Sequence, residues 1–370
     1  MTRTADVVVI GGGIHGCATA LHLVMRGLKT VLIEKDYAGR HASGVNAGGV
    51  RQLARDIAEI PLSIYSMDLW ERIEDLVGDD CGFESHGTVL VAENEEELAG
   101  FRARVDGLRL RGFTHEELID RAELKRLVPA VADHCPGGVV SRRDGAADPF
   151  RTTQAFLRRA VALGAEVREG VTVTGIARAG NVWRVETSDG VTEAPKVVNA
   201  AGAWADRIAA MLGEPVPLAV VAPMLMVTSR LPAFIKPVVI LRGRKLSFKQ
   251  LDNGTVVIGG GHLAMPYRDR NETVIDWSKL AISARTVWEL FPAMRAATIV
   301  RAWAGIEAYM PDGIPVVGPS STSEGVFHQF GFSTHGFQLG PGTGAVVAEL
   351  VATGSTNTPI EALSIKRFAV

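Results

Sequence analysis

The stretch "DVVVIGGGIHGCATALHL" holds Gly11, Gly13 and Gly16 in G-x-G-x-x-G spacing, and Glu34 follows 23 residues after Gly11. Side chains at that turn would hold the backbone away from a pyrophosphate, whose charge is stabilised by amides at a helix N-terminus. A carboxylate closing the next strand accepts the two hydroxyls of an adenosine ribose and repels a 2′-phosphate, which disfavours an NADP-like group. A dinucleotide is expected, either a nicotinamide that exchanges or a flavin that stays. His15 lies between two required glycines. It is expected to cap the first helical turn or face solvent beside the pyrophosphate, not to catalyse.

A second polar, glycine-rich run, "HASGVNAGGVRQ", stands where a simple βαβ pattern would give another helix and strand. Such a run can lay amides and hydroxyls along an extended ligand, with Ser43 as a pyrophosphate contact and Gly48 and Gly49 near the redox ring. Arg51 closes it and offers a guanidinium clamp for a substrate carboxylate. Further along, the alternating "KLSFKQ" can turn Lys249 inward, and His262 follows; both are weaker candidates. Cys17, Cys81 and Cys135 form an odd set without C-x-x-C spacing. Neither a disulfide framework nor a metal site is expected, and reduced thiols in a cytoplasm fit best.

These residues need a frame. Val7 to Ile10 reads as a buried strand, "IHGCATALHLVMRG" as the following helix ended by Gly27, and "TVLIEK" as the next parallel strand. "KVVNAAGAWA" repeats strand, small residues and helix on a smaller scale. Residues 1–80, 145–216 and 302–370 are expected to form the dinucleotide-binding domain, and 81–144 with 217–301 a sheet-rich second domain. At 370 residues, 47% apolar, with 39 basic against 41 acidic residues, the chain is long enough for about two compact domains and offers no field for a nucleic-acid partner. No export leader is expected, since a buried strand starts almost at once. "LAVVAPMLMV" at 218–227 is too short to span a bilayer and contains Pro223, so it reads as core strand. Membrane association is expected only peripherally or through a partner.

The tail "GVFHQFGFSTHGFQLGPGTGAVVAELVATG" returns to strand, glycine turn and a helix beginning near Gly342. Its positive end could stabilise electron density on a flavin pyrimidine during reduction. A third glycine-rich approach of this kind favours the flavin.

Taken in order, "DVVVIGGGIHGCATALHL", "TVLIEK", "KVVNAAGAWA", "AWAGIEAYMPDGIPVVG" and "FGFSTHGFQLGPGTG" resemble the D-amino-acid-oxidase-like FAD oxidoreductases across essentially the whole chain. The resemblance implies an α/β fold: a Rossmann-like FAD-binding domain of discontinuous segments, with an antiparallel-sheet α+β substrate domain. It implies FAD contacts at Gly11, Gly13, Ile14, His15, Gly16, Glu34, Lys35, Ser43, Gly48, Gly49, Val173, Ala200, Ala201, Gly202, Trp204, Gly305, Gly336, Phe337, Gln338, Leu339 and Gly340. His335, flanked by Gly331 and Gly336, becomes the leading residue beside the ring. Many relatives carry an arginine before "PDG" that binds substrate carboxylate; Glu307 stands in its place, which shifts that role to Arg51 and leaves Glu307 to position an ammonium or hydroxyl. No cysteine follows Cys135, so the covalent flavin link of monomeric sarcosine oxidases is excluded and noncovalent FAD is expected.

The implied activity is hydride transfer from a small secondary or cyclic amino acid (D-hydroxyproline, proline, sarcosine or an opine-like compound) to flavin N5, giving the imine. Electrons are expected to pass to a quinone or partner subunit somewhat more readily than to oxygen. The alternatives are a primary amino-acid oxidase releasing hydrogen peroxide, an inactive flavin-containing subunit of an amine dehydrogenase complex, and a nicotinamide-dependent dehydrogenase.

Overall fold

The computed structural model describes residues 2–368. Its centre is a six-stranded sheet in the order Val316–Pro319, Val326–Phe330, Lys196–Asn199, Val7–Ile10, Thr30–Ile33, Glu166–Arg168. Every neighbouring pair is parallel except the first. A strand read as four consecutive β-branched residues has to be covered on both faces, and Val7–Ile10 is buried throughout. Val7, Val9 and Leu32 pack toward the helices Ile14–Met25 and Gly336–Thr353. Val8, Ile10, Val31 and Ile33 pack instead with Trp183 and Val185 of a second, four-stranded sheet. That sheet runs Thr2–Thr4, Gly190–Ala194, Val182–Thr187, Val173–Ala179, and it covers the outer face.

The C-terminal helix corrects one expectation: it begins at Gly336, six residues before Gly342, and carries Pro341 inside it. Propensity reads "GFQLGPGTG" as a loop, but the glycines serve close packing here. A Cβ at Gly342 would lie 2.6 Å from the Ser66 Cβ, and one at Gly344 would lie 2.5 Å from the Ala18 Cβ. Absent side chains let Ile14–Met25, Ile60–Trp70 and Gly336–Thr353 meet backbone to backbone.

The remaining strands build an eleven-stranded, mostly antiparallel sheet whose spine is Ala219–Thr228. The apolar run at 218–227 is thus a core strand. It pairs with Val256–Gly259, Leu263–Tyr267, Ile299–Ala304 and Glu307–Tyr309. The Ile299–Ala304 strand, which contains residue 302, and Glu307–Tyr309 therefore both lie in this sheet. Thr88–Ala92 and Gly137–Ser141 enter at its far side through Val238–Leu241. The helix Trp277–Leu290 covers it, with Phe248 and Phe291 stacked at 4.4 Å beneath.

Candidate active site

Between the two large sheets lies a cavity of about 850 Å³, within the ~300–1,000 Å³ range of ligand sites. One end is built by the first glycine turn. Gly11 has φ +111°, and a Cβ on Gly16 would lie 1.9 Å from the Gly11 carbonyl oxygen, so these positions admit nothing larger. Glu34 accepts from the Gly12 amide at 2.6 Å and the Asp36 amide at 2.8 Å. Burial pushes its carboxyl up, although both amides favour the anion. Each oxygen keeps a lone pair for a ribose hydroxyl. Ser43 Oγ accepts from the Ile14 amide at 2.9 Å, which seats it on the first turn of the helix beside Gly13. Lys35 Nζ sits 4.0 Å over the Trp204 ring and donates to Asp36 and to Asn271 of the opposite sheet's hairpin. Val173, Ala200, Ala201 and Gly202 complete this wall.

The other end gathers Gly49, Arg51, Arg55, Arg104, Gly305, Glu307, Thr334, Gly336 and Phe337. Arg51 donates to the Leu53 carbonyl. Arg55, 2% exposed, donates to the Arg51 carbonyl at 2.7 and 3.0 Å and to the His335 carbonyl at 3.1 Å, while its Nη1 has no partner among the described residues. Arg104 makes a two-pronged pair with Glu116 and also donates to the Arg55 carbonyl. Glu307 accepts from the Thr334 amide at 2.6 Å, and burial pushes its carboxyl up to about 7. Two strained turns frame this end: Ala54 has φ 60°, and Ser333 and Thr334 have φ 49° and 72°. For a β-branched residue such as Thr334 that conformation is an outlier, of a kind that collects at binding sites.

Several expected site residues stand elsewhere. His335 does not line the cavity; its Nδ1 meets Glu59 at 3.2 Å and only its carbonyl faces Arg55. His15 does line the cavity, but it neither caps its helix nor faces solvent: it is buried and stacked on Phe332 at 3.7 Å, where burial lowers it to about 3. Gln338, Leu339 and Gly340 lie behind the cavity: Gln338 is held by Ser63 and by Trp70 and Ser66 through its carbonyl, and Gly340 packs on Ile14. Gly16 and Gly48 are likewise behind the wall. Lys249 is buried behind Gly48, its Nζ 2.9 Å from where a Gly48 Cβ would stand, and burial lowers it to about 8. His262 uses its carbonyl to accept from Met224 within the sheet, and its ring does not line the cavity.

Sequence reasoning missed Arg55, Arg104 and Thr334. The "RQLAR" spacing of Arg51 and Arg55 was a usable signal; the strain at Thr334 had none.

The arrangement fits FAD. A glycine turn and carboxylate stand at one end, a helix N-terminus in the middle, and the start of Gly336–Thr353 at the other, with Gly336 and Phe337 lining the cavity. Cys17, Cys81 and Cys135 are free and none lines the cavity, so no thioether can form there. A family model described as FAD dependent oxidoreductase matches residues 6–350. The mouse (Mus musculus) mitochondrial sarcosine dehydrogenase is 29% identical over 385 residues, covering 100% of this chain and 42% of that protein. The chain thus spans under half the length of that relative. The sarcosine oxidase subunit beta of Rhodobacter capsulatus is 28% identical over 94% of this chain and 85% of its own length. The crystal structure of L-proline dehydrogenase from P. horikoshii superposes with a TM-score of 0.92 at 29% identity, covering 100% of this chain and 98% of that one.

Proposed function

This chain belongs to the FAD dependent oxidoreductase family, and on that premise we propose that it dehydrogenates a small secondary or cyclic amino acid to the imine. Bound FAD supplies the hydride acceptor. The protein's own residues bind and orient. Arg51 takes the substrate carboxylate, and Glu307 meets the nitrogen.

The observation that carries this reading is the pairing of opposite charges at one end of the cavity, an arginine cluster and a carboxylate attached to neighbouring residues of a single turn. A zwitterion satisfies both. The names of the relatives support the secondary amine: two act on sarcosine and one on L-proline. We read the electron acceptor as a quinone or partner subunit; the subunit status of the Rhodobacter relative supports a partner. Among the described residues no helix is long and apolar enough to cross a membrane, so contact with a membrane acceptor would be peripheral.

The test is direct. Purified protein should be yellow, and anaerobic bleaching should be followed across both proline enantiomers, cis- and trans-4-hydroxyproline, sarcosine, glycine, D-alanine and octopine. Bleaching by a secondary amine supports the reading; bleaching only by glycine or D-alanine overturns the substrate class. Rapid reoxidation by air-saturated buffer with peroxide release would overturn the dehydrogenase assignment.

A further inference from the structure

Glu307 supplies a chemistry the arginines cannot. Its strand, Glu307–Tyr309, is fixed by pairing with Ala219–Val221, and the side chain reaches the cavity wall. Oε1 is engaged by the Thr334 amide at 2.6 Å, which leaves Oε2 for a ligand. That amide is offered by a residue in a left-handed conformation disfavoured for threonine, so the turn spends strain to orient this carboxylate. The arginine cluster is attached one residue further along, where Arg55 meets the His335 carbonyl. The two charges are thus anchored on neighbouring residues of one turn, Thr334 and His335, and both charged groups line the cavity.

We propose that Glu307 receives a proton from the substrate ammonium and thereby selects amino acids over their oxygen analogues. This inference rests on the amino-acid reading above and deepens it. The ammonium N–H bond breaks, a carboxyl O–H bond forms on Glu307, and the nitrogen keeps the electron pair; no oxidant enters the step. An amine must lose that proton before its carbon can give up hydride, and near neutral pH a free amino acid is almost wholly protonated. Burial, with no ion-pair partner among the described residues, holds Glu307 at about 7, close to the working pH of a base.

The ionisable groups around Glu307 leave that role to it. Tyr309 on its own strand is pushed up to about 12 and stays neutral. The paired segment Ala219–Val221 and the neighbouring turn Gly202–Trp204 bring no ionisable side chain. Across the cavity, Arg51, Arg55 and Arg104 stay charged, and His335 is turned to Glu59. His15, at about 3, is neutral throughout the range of interest.

The experiment uses FAD-loaded wild type, E307Q and E307D. With a bleaching secondary amino acid, wild-type kcat/KM should rise through an inflection near pH 7 and then level off. E307Q should lack the inflection, climb about tenfold per pH unit as free amine accumulates, and lie about 100-fold lower near pH 8; E307D should restore the inflection. A second readout needs no turnover. Tetrahydrofuran-2-carboxylate, which carries no ammonium, should perturb the flavin spectrum with a Kd that weakens above pH 7 in wild type, as Glu307 ionises, and stays flat in E307Q. An E307Q enzyme that keeps the kinetic inflection, or a pH-independent Kd in wild type, overturns the proposal. If no amino acid bleaches the holoenzyme, the substrate reading has failed, and the tetrahydrofuran-2-carboxylate titration still decides whether Glu307 titrates in the ligand site.

Discussion

Arg55 donates from Nη2 to the carbonyl of His335 at 3.1 Å, joining positions 280 residues apart in the chain. The same guanidinium holds the Arg51 carbonyl through Nε and Nη2. It buckles the strained 51–55 turn to the start of the Gly336–Thr353 helix. Among the described residues Arg51, by contrast, engages only one nitrogen, at the Leu53 carbonyl.

The two arginines should therefore fail differently. R51A is expected to lower kcat/KM for a carboxylate substrate by about 2–4 kcal/mol relative to an uncharged amine analogue, with unchanged Tm. R55A should lower Tm and flavin content together, by about 2–3 kcal/mol of stability, because buried carbonyls lose their charged donor. Equal kinetic losses for both substrates in R51A would show that Arg51 only supports flavin packing.

Gly16→Ala places a methyl 1.9 Å from the Gly11 carbonyl oxygen, and neither backbone can yield without opening the phosphate turn. The expected outcome is a protein purified with little flavin, read from the ratio of visible to 280 nm absorbance, and with weak FAD uptake on titration. Full flavin content in G16A would refute the assignment of this turn to the pyrophosphate.

Lys249, 8% exposed, gives a stability test whose sign is fixed by its shift from 10.5 to about 8. Below about pH 8 both folded and unfolded chains carry the proton, and the folded state bears the full cost of a buried ammonium, about 3 kcal/mol. Between about 8 and 10.5 only the unfolded chain stays protonated, so that cost fades as pH rises. K249M apoprotein should accordingly melt above wild type at pH 7, with the difference shrinking toward pH 10. A lower Tm at pH 7 would mean that Lys249 makes a favourable interaction that outweighs its burial.

The hairpin Leu263–Val274 of the large sheet is tied over the adenosine end by Arg268, which pairs with Asp206 at 2.7 and 2.9 Å and donates to the Ala203 carbonyl at 2.7 Å. Ala203 itself lines the cavity. R268A should speed FAD release about tenfold, followed by the return of flavin fluorescence, with substrate KM little changed. An unaltered release rate would show that the strap plays no part in holding the cofactor.

What the sequence determined by itself was local and periodic. The β-branched run Val7–Ile10, the glycine spacing after it and Glu34 at the next strand end required a strand, a turn without side chains and a carboxylate beside it, since each depends on residues close in the chain. The same holds for the strand at 218–227, legible from its apolar run. Tertiary structure decided where lone polar side chains point. His335 sits beside Gly336, which lines the cavity, yet Glu59 draws its ring away, whereas His15 lines the cavity with its ring stacked on Phe332. The early start of the last helix was hidden because its glycines look like a loop until Ser66 and Ala18 are seen pressed against them. Thr334 gained its place by offering its amide to Glu307, 27 residues earlier, and Arg55 only when segments 280 residues apart met, a meeting that no pattern within either segment encodes.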